Sequence, residues 1–505
     1  MNAISLKYEG LSYAEMWISE AQERMVFSVP KDKWPELKAL AESEDVEAIV
    51  LGEFKPTGRL VLKYDGVTVA DLAMSFMHDG RPPVIRKAVY EVPTVEPITV
   101  KPEGVELPGQ TAVSKTVACP CGGKESGKTS ATLDLEAILG SLNVASKHWA
   151  IRQYDHEVQG GSVLKPLVGV ECDGPGDAAV LRPRLTSRRG LVVSNGMNPN
   201  YGDYDAYWMA ASAIDEATRN AVAVGADPTT ISILDNFCWG NADKPEVLGS
   251  LVRAALACRD VSVAFGSPFI SGKDSLNNEF RPEGEEPIAI PPSLLISAMG
   301  QMDDVAKAVS MDLKEAGNAL YLVGETKREL GGSHLSLVRN WVGGQVPTLD
   351  VDVAKRTYIA VHKAIQSGLI RAAHDLSEGG LAVAAAESAF AGNLGAEISL
   401  AAIKLAPAAD GESTALPGVE NVDDYWKLFS ESNSRFLIEV PVEKSCAFEG
   451  ILCEAKVPFA PIGKVVEKPE LTIFGADGTV AVQGDLADLK LRWQKPFDLG
   501  GWYAD

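Results

Sequence analysis

Three polar, glycine-marked stretches between Ser194 and Glu279 carry residue types that could do chemistry. The first, Ser194-Asn195-Gly196-Met197-Asn198-Pro199-Asn200-Tyr201-Gly202-Asp203, leads into a helical pattern. The second, Asp235-Asn236-Phe237-Cys238-Trp239-Gly240-Asn241, closes an apolar run. The third, Ser271-Gly272-Lys273-Asp274-Ser275-Leu276-Asn277-Asn278-Glu279, follows another such run. Carboxylates and amides in glycine-rich turns at strand ends suit a hydrated divalent cation and phosphate oxygens. A fourth stretch, His374-Asp375-Leu376-Ser377-Glu378-Gly379-Gly380, stands between a predicted strand and a predicted helix. Asp375 there suits a metal, and backbone N–H groups at a helix start suit a phosphate. An ordinary N-cap in a sharp turn explains the same residues equally well. His374 reads as a structural residue as readily as a base.

Several sharper motifs fail. Gly272-Lys273 would end a phosphate-binding P-loop only with a glycine at 267 and a hydroxyl at 274, where Ser267 and Asp274 stand. No Gly-x-Ser-x-Gly elbow surrounds Ser271. The glycines at 324 and 331–332 lack the dinucleotide-binding spacing. Seven cysteines in 505 residues make no disulfide framework, and Cys119 and Cys121 have no second pair to complete a zinc site. Six histidines without a His-Glu-x-x-His arrangement make a catalytic zinc improbable.

The elements that must position these residues follow from periodicity. Strands are expected at 24–30 and 48–52, a helix at 31–44, and a hairpin at 58–71 around Asp65-Gly66. Residues 76–127 read as a linker draped over neighbouring surface, followed by a helix at 133–142. From about 163, strands at 163–170, 178–181, 190–194, 231–234, 261–265 and 293–299 alternate with helices at 207–224 and 245–259. On the first of those helices, Asp215, Glu216 and Arg219 are spaced to share a side. A second series follows, with strands at 319–324, 370–373 and 436–440 and helices at 351–366 and 381–390. The stretch 470–493 reads as a peripheral β element. The fold class is α/β, grading into α+β.

The formal net charge of -22 argues against nucleic acid or an anionic membrane as partner. It also opposes a ligand bearing several phosphates, so local cations or Mg²⁺ must offset the field. No signal-like or membrane-length apolar run is present, which makes the cytoplasm the expected location.

With these motifs in order, the chain resembles phosphoribosylformylglycinamidine synthase, the amidotransferase-type ligase of purine synthesis. The resemblance rests on the stretches quoted above together with Ser19-Glu20-Ala21-Gln22-Glu23-Arg24-Met25, Arg152-Gln153-Tyr154-Asp155-His156 and Phe429-Ser430-Glu431-Ser432-Asn433-Ser434-Arg435. That family is built from two tandem modules, each with an N-type and a C-type domain shared with aminoimidazole ribonucleotide synthetase. The resemblance implies that 1–75 is the remnant of a first C-type domain and 76–164 a linker with a helix. It implies second N-type and C-type domains at 165–305 and 306–465, and a C-terminal β extension at 466–505. The first N-type domain, which carries the family's catalytic histidine, has no counterpart in these residues.

Carried over by motif, Asp235, Gly272 and Ser377 would contact ATP. Lys273 stands where family members have a metal-binding asparagine, so it is expected to partner phosphate. Ser275, with Glu20, Ala21 and Gln22, would line the substrate site. Asp375, helped by Asp312, would hold Mg²⁺. The implied reaction converts formylglycinamide ribonucleotide, ATP, glutamine and water to the formylglycinamidine ribonucleotide, ADP, phosphate and glutamate. Implied partners are a polypeptide carrying the first module, a glutaminase subunit and a small accessory subunit. Two other readings stay open: a scaffold holding an auxiliary nucleotide without turnover, and a stand-alone kinase or synthetase of the same superfamily.

Overall fold

The structure is a computed structural model that describes residues 1–6, 8, 10–19, 24–102, 127–407 and 414–498. It divides into two compact units, Met1–Arg86 and Lys87–Asp505. The expected substrate residues Glu20, Ala21 and Gln22 lie outside the described residues, as do Cys119 and Cys121.

In the first unit, helix α1 (Tyr13–Ile18) opens with a capping box in which Ser12 and Glu15 satisfy each other's backbone N–H groups. Helix α2 (Trp34–Ser43) has proline in its first turn. Strands β1 (Arg59–Tyr64) and β2 (Val67–Ala73) form the expected hairpin. Its turn residues Asp65 and Gly66 both take positive φ, +47° and +77°, as a two-residue turn that follows the strand twist requires. The strands expected at 24–30 and 48–52 do not form. Their β-prone residues find no partner strand, and propensity alone does not make a sheet. Met16 is the one buried residue among the unit's described residues.

The second unit contains two large sheets among its described residues. The first is built from β3 (Ser162–Leu164), β4 (Ala179–Leu181), β5 (Gly190–Gly196), β6 (Ser232–Cys238), β7 (Phe269–Ser275) and β8 (Ser293–Met302). Its order is β7-β6-β8-β5-β4-β3, with only β7 and β6 parallel. The second comprises β9 (Ala319–Val323), β10 (Ala372–Asp375), β11 (Gly395–Ser399), β12 (Phe436–Val440), β13 (Phe459–Val466), β14 (Glu470–Phe474) and β15 (Val480–Asp485). Its order is β10-β12-β9-β13-β11-β14-β15, antiparallel except for β11 beside β14. The stretch 470–493 is therefore no separate β element: two of its strands finish this sheet, and its last part is helix α8 (Leu486–Gln494).

Helix α3 (Ser130–Leu139) buries Leu135, Ile138 and Leu139, so this part of the expected linker belongs to the core. Helix α4 (Ala206–Ala223) starts at Asp205, whose carboxylate accepts from the Tyr207 N–H. Helix α5 (Pro245–Phe265) runs on through 261–265, where a strand is expected from the β-branched residues. Ala254, Ala257, Cys258, Val261 and Phe265 continue one buried stripe at helical spacing, and Gly266 in left-handed conformation ends it. Helix α6 (Val351–Gln366) buries Tyr358 and Val361, and α7 (Gly380–Gly392) is apolar nearly all round.

One core cluster joins α4, α5, α6, β6 and β8 to Tyr321 and Val323 of β9 and Phe436 and Ile438 of β12. The alternate residues Leu320, Leu322 and Leu437 face a second cluster with α3, α7 and α8. The seven-stranded sheet is thus buried on both faces, as its continuous apolar strands demand. Residues 87–100 cross this unit as a strap. The Val89 N–H donates to the Pro245 carbonyl, the Gly344 N–H to the Glu96 carbonyl, and Thr99–Val100 pairs with Trp341–Val342.

Candidate functional site

The end of β10 and the start of α7 gather several buried ionisable groups, among them His374, Asp375 and Glu431. Two glycines make the turn possible. Gly379 and Gly380 both take positive φ, +75° and +61°, and a Cβ on Gly380 would stand 3.0 Å from the Leu428 carbonyl oxygen. Asp375, at the strand end, is fixed from three directions. Arg219 of α4 donates to its Oδ2 through Nε at 3.2 Å and Nη2 at 3.1 Å. The Ser377 hydroxyl donates to the same oxygen at 2.5 Å, and Arg219 Nη2 donates to Ser377 at 2.7 Å. The Asp375 N–H donates to Asp177 Oδ1 at 2.9 Å.

His374 lies between Asp177 and Glu387, with Nδ1 2.8 Å from the former and Nε2 3.1 Å from the latter. Burial disfavours its charge, but Asp177 and then Glu387 outweigh that and hold its pKa well above the usual imidazole range. His374 is thus held by a carboxylate on each ring nitrogen, a positioned partner of the cluster. Asp375 shows the complementary balance: burial would raise its pKa, but the Arg219 guanidinium and then His374 bring it below the usual carboxylate value.

A second group of acids adjoins the first. Glu216 of α4 accepts from the Met197 N–H at 3.0 Å and Asn198 Nδ2 at 2.7 Å. Burial, then repulsion from Glu378, pushes its pKa well above the ordinary carboxylate value. Glu431 accepts from the Tyr201 hydroxyl, the His334 N–H and the Gly379 N–H, at 2.6, 2.9 and 2.7 Å. The Gly379 amide is thus spent inside the protein, and it is Glu431 that occupies the phosphate-like position in this turn. No side chain caps α7, so the plain N-cap explanation of Asp375 and Ser377 does not describe this turn.

Asp177, His374 and Asp375 each offer one ligand atom within 4.8 Å of the others. Asp177 Oδ2 is buried without a hydrogen-bond partner. An orphan carboxylate oxygen beside a second carboxylate fits a hard divalent cation such as Mg²⁺. Asp312, the other expected metal residue, is engaged elsewhere: Lys314 Nζ lies 2.8 Å from it, and the Ser310 hydroxyl donates to it at 2.6 Å.

The remaining expected residues sit together on β6 and β7. In their parallel register Gly272 faces Asp235, Lys273 faces Asn236 and Ser275 faces Cys238. The Asp235 carboxylate leans over Gly272, where a Cβ would stand 2.7 Å from Oδ2. Burial, then Asp274, raises the Asp235 pKa. Lys273 is exposed on the sheet edge. Among the described residues no hydrogen bond or ion pair joins this group to the cluster around Asp375. Registry nevertheless relates them: Gly196, Ile296, Asp235 and Gly272 form one row across β5, β8, β6 and β7. Gly196 abuts Glu216 of α4, and two strand spacings, about 10 Å, separate Gly196 from Asp235.

Sequence reasoning passed over Asp177, Glu216, Arg219, His334, Glu387 and Glu431 as site residues. Asp177 carried a usable signal, since it follows the glycine-marked stretch Gly174-Pro175-Gly176 two residues before β4.

Comparison with known proteins places this architecture. The model described as "AIR synthase related protein, N-terminal domain" matches residues 175–318. The model described as "AIR synthase related protein, C-terminal domain" matches twice, over 2–65 and 315–476. The chain belongs to the AIR synthase related proteins. Within that group it is similar to curated PurL subunits of phosphoribosylformylglycinamidine synthase. It is 32% identical to that of Deinococcus radiodurans over 98% of this chain and 60% of the relative. Against that of Thermococcus sibiricus it is 33% identical, over 94% of this chain and 58% of the relative. The chain thus spans about three fifths of the length of these relatives. Among solved structures, Thermotoga maritima PurL complexed with FGAR aligns at TM-score 0.53 and 18% identity, covering 72% of this chain and 53% of that one. The PurLQS structure from the same organism aligns at 0.53 and 17%, covering 73% and 52%. At such identity these structures support the fold. No described helix is long and apolar enough to cross a membrane.

Proposed function

We propose that this chain supplies the second module of a phosphoribosylformylglycinamidine synthase, an ATP-dependent ligase. The reaction turns an amide into an amidine. ATP phosphorylates the amide oxygen, ammonia adds to the carbon so activated, and phosphate leaves. Ammonia derives from glutamine on a glutaminase subunit, and a first N-type domain, on a partner polypeptide or a longer form of this chain, completes the catalytic site. A small accessory subunit is a further partner. The curated relatives are named as PurL subunits, and one aligned structure is titled as a PurLQS assembly, which supports a multi-chain enzyme. Two separate matches to the C-terminal domain model support reading 1–75 as the remnant of a first C-type domain and 165–305 and 306–465 as the second pair.

The observation that carries the nucleotide reading is the unpartnered Asp177 Oδ2 beside Asp375 and His374. In this reading Asp177 and Asp375 hold Mg²⁺, which offsets phosphate charge against the protein's acidity. Arg219 and Ser377 keep Asp375 ionised and aimed. Asp235, Gly272 and Lys273 meet the nucleotide or its phosphates, and Ser275 meets the phosphoribosyl substrate. An aligned structure titled as an ADP complex, at TM-score 0.51, is consistent with a nucleotide on this fold. Isothermal calorimetry with ADP, with and without Mg²⁺, tests this. Asp177→Asn and Asp375→Asn are each expected to weaken Mg²⁺-dependent binding at least tenfold, and unchanged binding in both would refute the assignment.

A second reading, nucleotide held here without turnover, is favoured by how fully the turn is satisfied internally. Both the Gly379 N–H and Asp375 Oδ2 already have protein partners. Single-turnover phosphate release by the reconstituted enzyme carrying Asp375→Asn separates the two readings. Normal chemistry with lost nucleotide retention favours the holding role, and abolished chemistry favours the catalytic one.

A further inference from the structure

The first unit repeats a stretch of the second without its setting. The C-terminal domain model matches both, and its two matches end at 65 and 476, 411 residues apart. At that spacing, with no gap, Ser19-Glu20, Arg24, Val29-Pro30 and Lys33 fall on Ser430-Glu431, Arg435, Val440-Pro441 and Lys444. Local structure keeps the same register. The 3₁₀ turn Lys31–Lys33 falls on Val442–Lys444, and α2 falls on the helix Ser445–Glu454, residue for residue. Asp45 and Lys456 both take left-handed backbone conformations, φ +54° and +53°. Arg24 Nη2 donates to the Ser19 carbonyl as Arg435 Nη2 does to that of Ser430. The Val46 N–H donates to the Ala41 carbonyl at 2.9 Å, and the Val457 N–H to that of Leu452 at 3.0 Å.

Burial is what differs. Phe436, Leu437 and Ile438 of β12 are buried, while their counterparts Met25, Val26 and Phe27 are exposed. Ile462 and Val465 of β13 are buried, while Leu51 and Phe54 are exposed. In the second unit β12 lies between β10 and β9, β13 between β9 and β11, and β14 between β11 and β15. In the first unit β1 and β2 fall on β14 and β15, but segments 25–29 and 48–54 form no ladder among the described residues. Strands β9, β10 and β11 are already paired within the second unit and cannot serve the first. An apolar surface laid out as strands without neighbours is a template for strands from elsewhere.

We infer that the first unit is one half of an interleaved sheet, and that a separate polypeptide with the strand pattern of residues 315–399 supplies the other half. One supplied strand enters between 25–29 and 48–54, a second flanks 25–29, and a third enters between 48–54 and β1. The first of these must be apolar on both faces, as Ala319-Leu320-Tyr321-Leu322-Val323 is. The inference rests on reading 1–75 as part of a first C-type domain and adds how the partner holds it. Main-chain ladders form strand between strand, rather than two finished surfaces meeting. Neither half has its sheet before the other arrives, so binding and folding of this unit are one event.

The test is amide hydrogen exchange, read by mass spectrometry, on the full 505-residue chain. The probe is the part of the Deinococcus radiodurans relative that this chain does not cover. On adding it, exchange at 25–29 and 48–54 should slow on the order of a hundredfold, while α5 stays unchanged. Val26→Pro, which removes a ladder N–H, should abolish capture of the probe, and Val26→Ile should keep it. Capture without protection at 25–29 and 48–54, or capture by Val26→Pro equal to wild type, overturns the interleaved sheet and leaves the reading of 1–75 standing. Protection that instead grows with the concentration of the chain alone makes a second copy the occupant and overturns the proposed partner. No capture overturns the inference too, while the functional reading stands or falls separately by the Mg²⁺-dependent ADP titration, which reads the second unit.

Discussion

Asp375 and Glu216 share one buried acidic pocket, yet their protons are held in opposite ways. Burial raises both, but Asp375 has Arg219 and His374 against it, and Glu216 has Glu378 as its strongest charged neighbour. For Glu216 the sign is clear: the unfolded chain releases the proton near the ordinary value of 4.5 and the folded chain only at higher pH. The folded state therefore loses stability as pH rises from 4.5 through that raised value. Glu216→Gln, which keeps an acceptor for Met197 and Asn198, should raise Tm by about 1–2 °C at pH 7.5 and change it little at pH 4.5, read by calorimetric scans in EDTA. His374 behaves in the reverse sense. Its folded pKa is raised, so its ion pair stabilises fully below the unfolded value of 6.5 and fades as pH climbs through the folded one. His374→Asn should thus cost more stability at pH 6 than at alkaline pH. At this scale the sequence was partly legible. Asp375 and Ser377 announced themselves because they share a turn with two glycines. Asp177 lies 198 residues from Asp375, and nothing local in a glycine turn names a partner so distant. Arg219 reads as one more helix charge until the fold places it inside.

Elements bring these residues together by close backbone approach. Gly196 ends β5 where α4 crosses, and a Cβ there would stand 2.7 Å from the Ala217 nitrogen and 2.9 Å from Glu216 Cβ. Gly196→Ala is expected to push α4 outward and destabilise the protein by about 2 kcal/mol, measured by urea unfolding, with a larger proportional loss of Mg²⁺-dependent nucleotide binding. Retained stability and binding would show that α4 tolerates the shift. Helices α4 and α6 were legible because alanine-rich or amphipathic runs end in glycine or begin at aspartate. The end of α5 was not, since Val261 and Val263 favour a strand locally while the buried stripe and the Gly266 cap favour helix. Tertiary burial decided it. The strands expected at 24–30 and 48–52 show the same limit from the other side, because local β preference met no partner.

On the scale of the whole molecule, the first unit has hairpin and helix signals that the sequence displays openly but almost no interior. Met25, Val26, Phe27 and Phe54 are 80, 81, 62 and 80% exposed. Residues 1–86 expressed alone should show no cooperative thermal transition by circular dichroism, whereas the full chain should, and a sharp transition in the fragment would give the unit a core of its own. The second unit carries the opposite character, two sheets tied by a shared core, and holds the whole acidic cluster. The central claim is that this cluster grips the phosphates of a Mg²⁺-bound nucleotide. Calorimetric titration of ADP into the chain, alone and reconstituted with the first module, tests it most directly. The account predicts saturable binding that needs Mg²⁺ and weakens at least tenfold in Asp375→Asn; Mg²⁺-independent heats, or an Asp375→Asn variant that binds as wild type does, would contradict it.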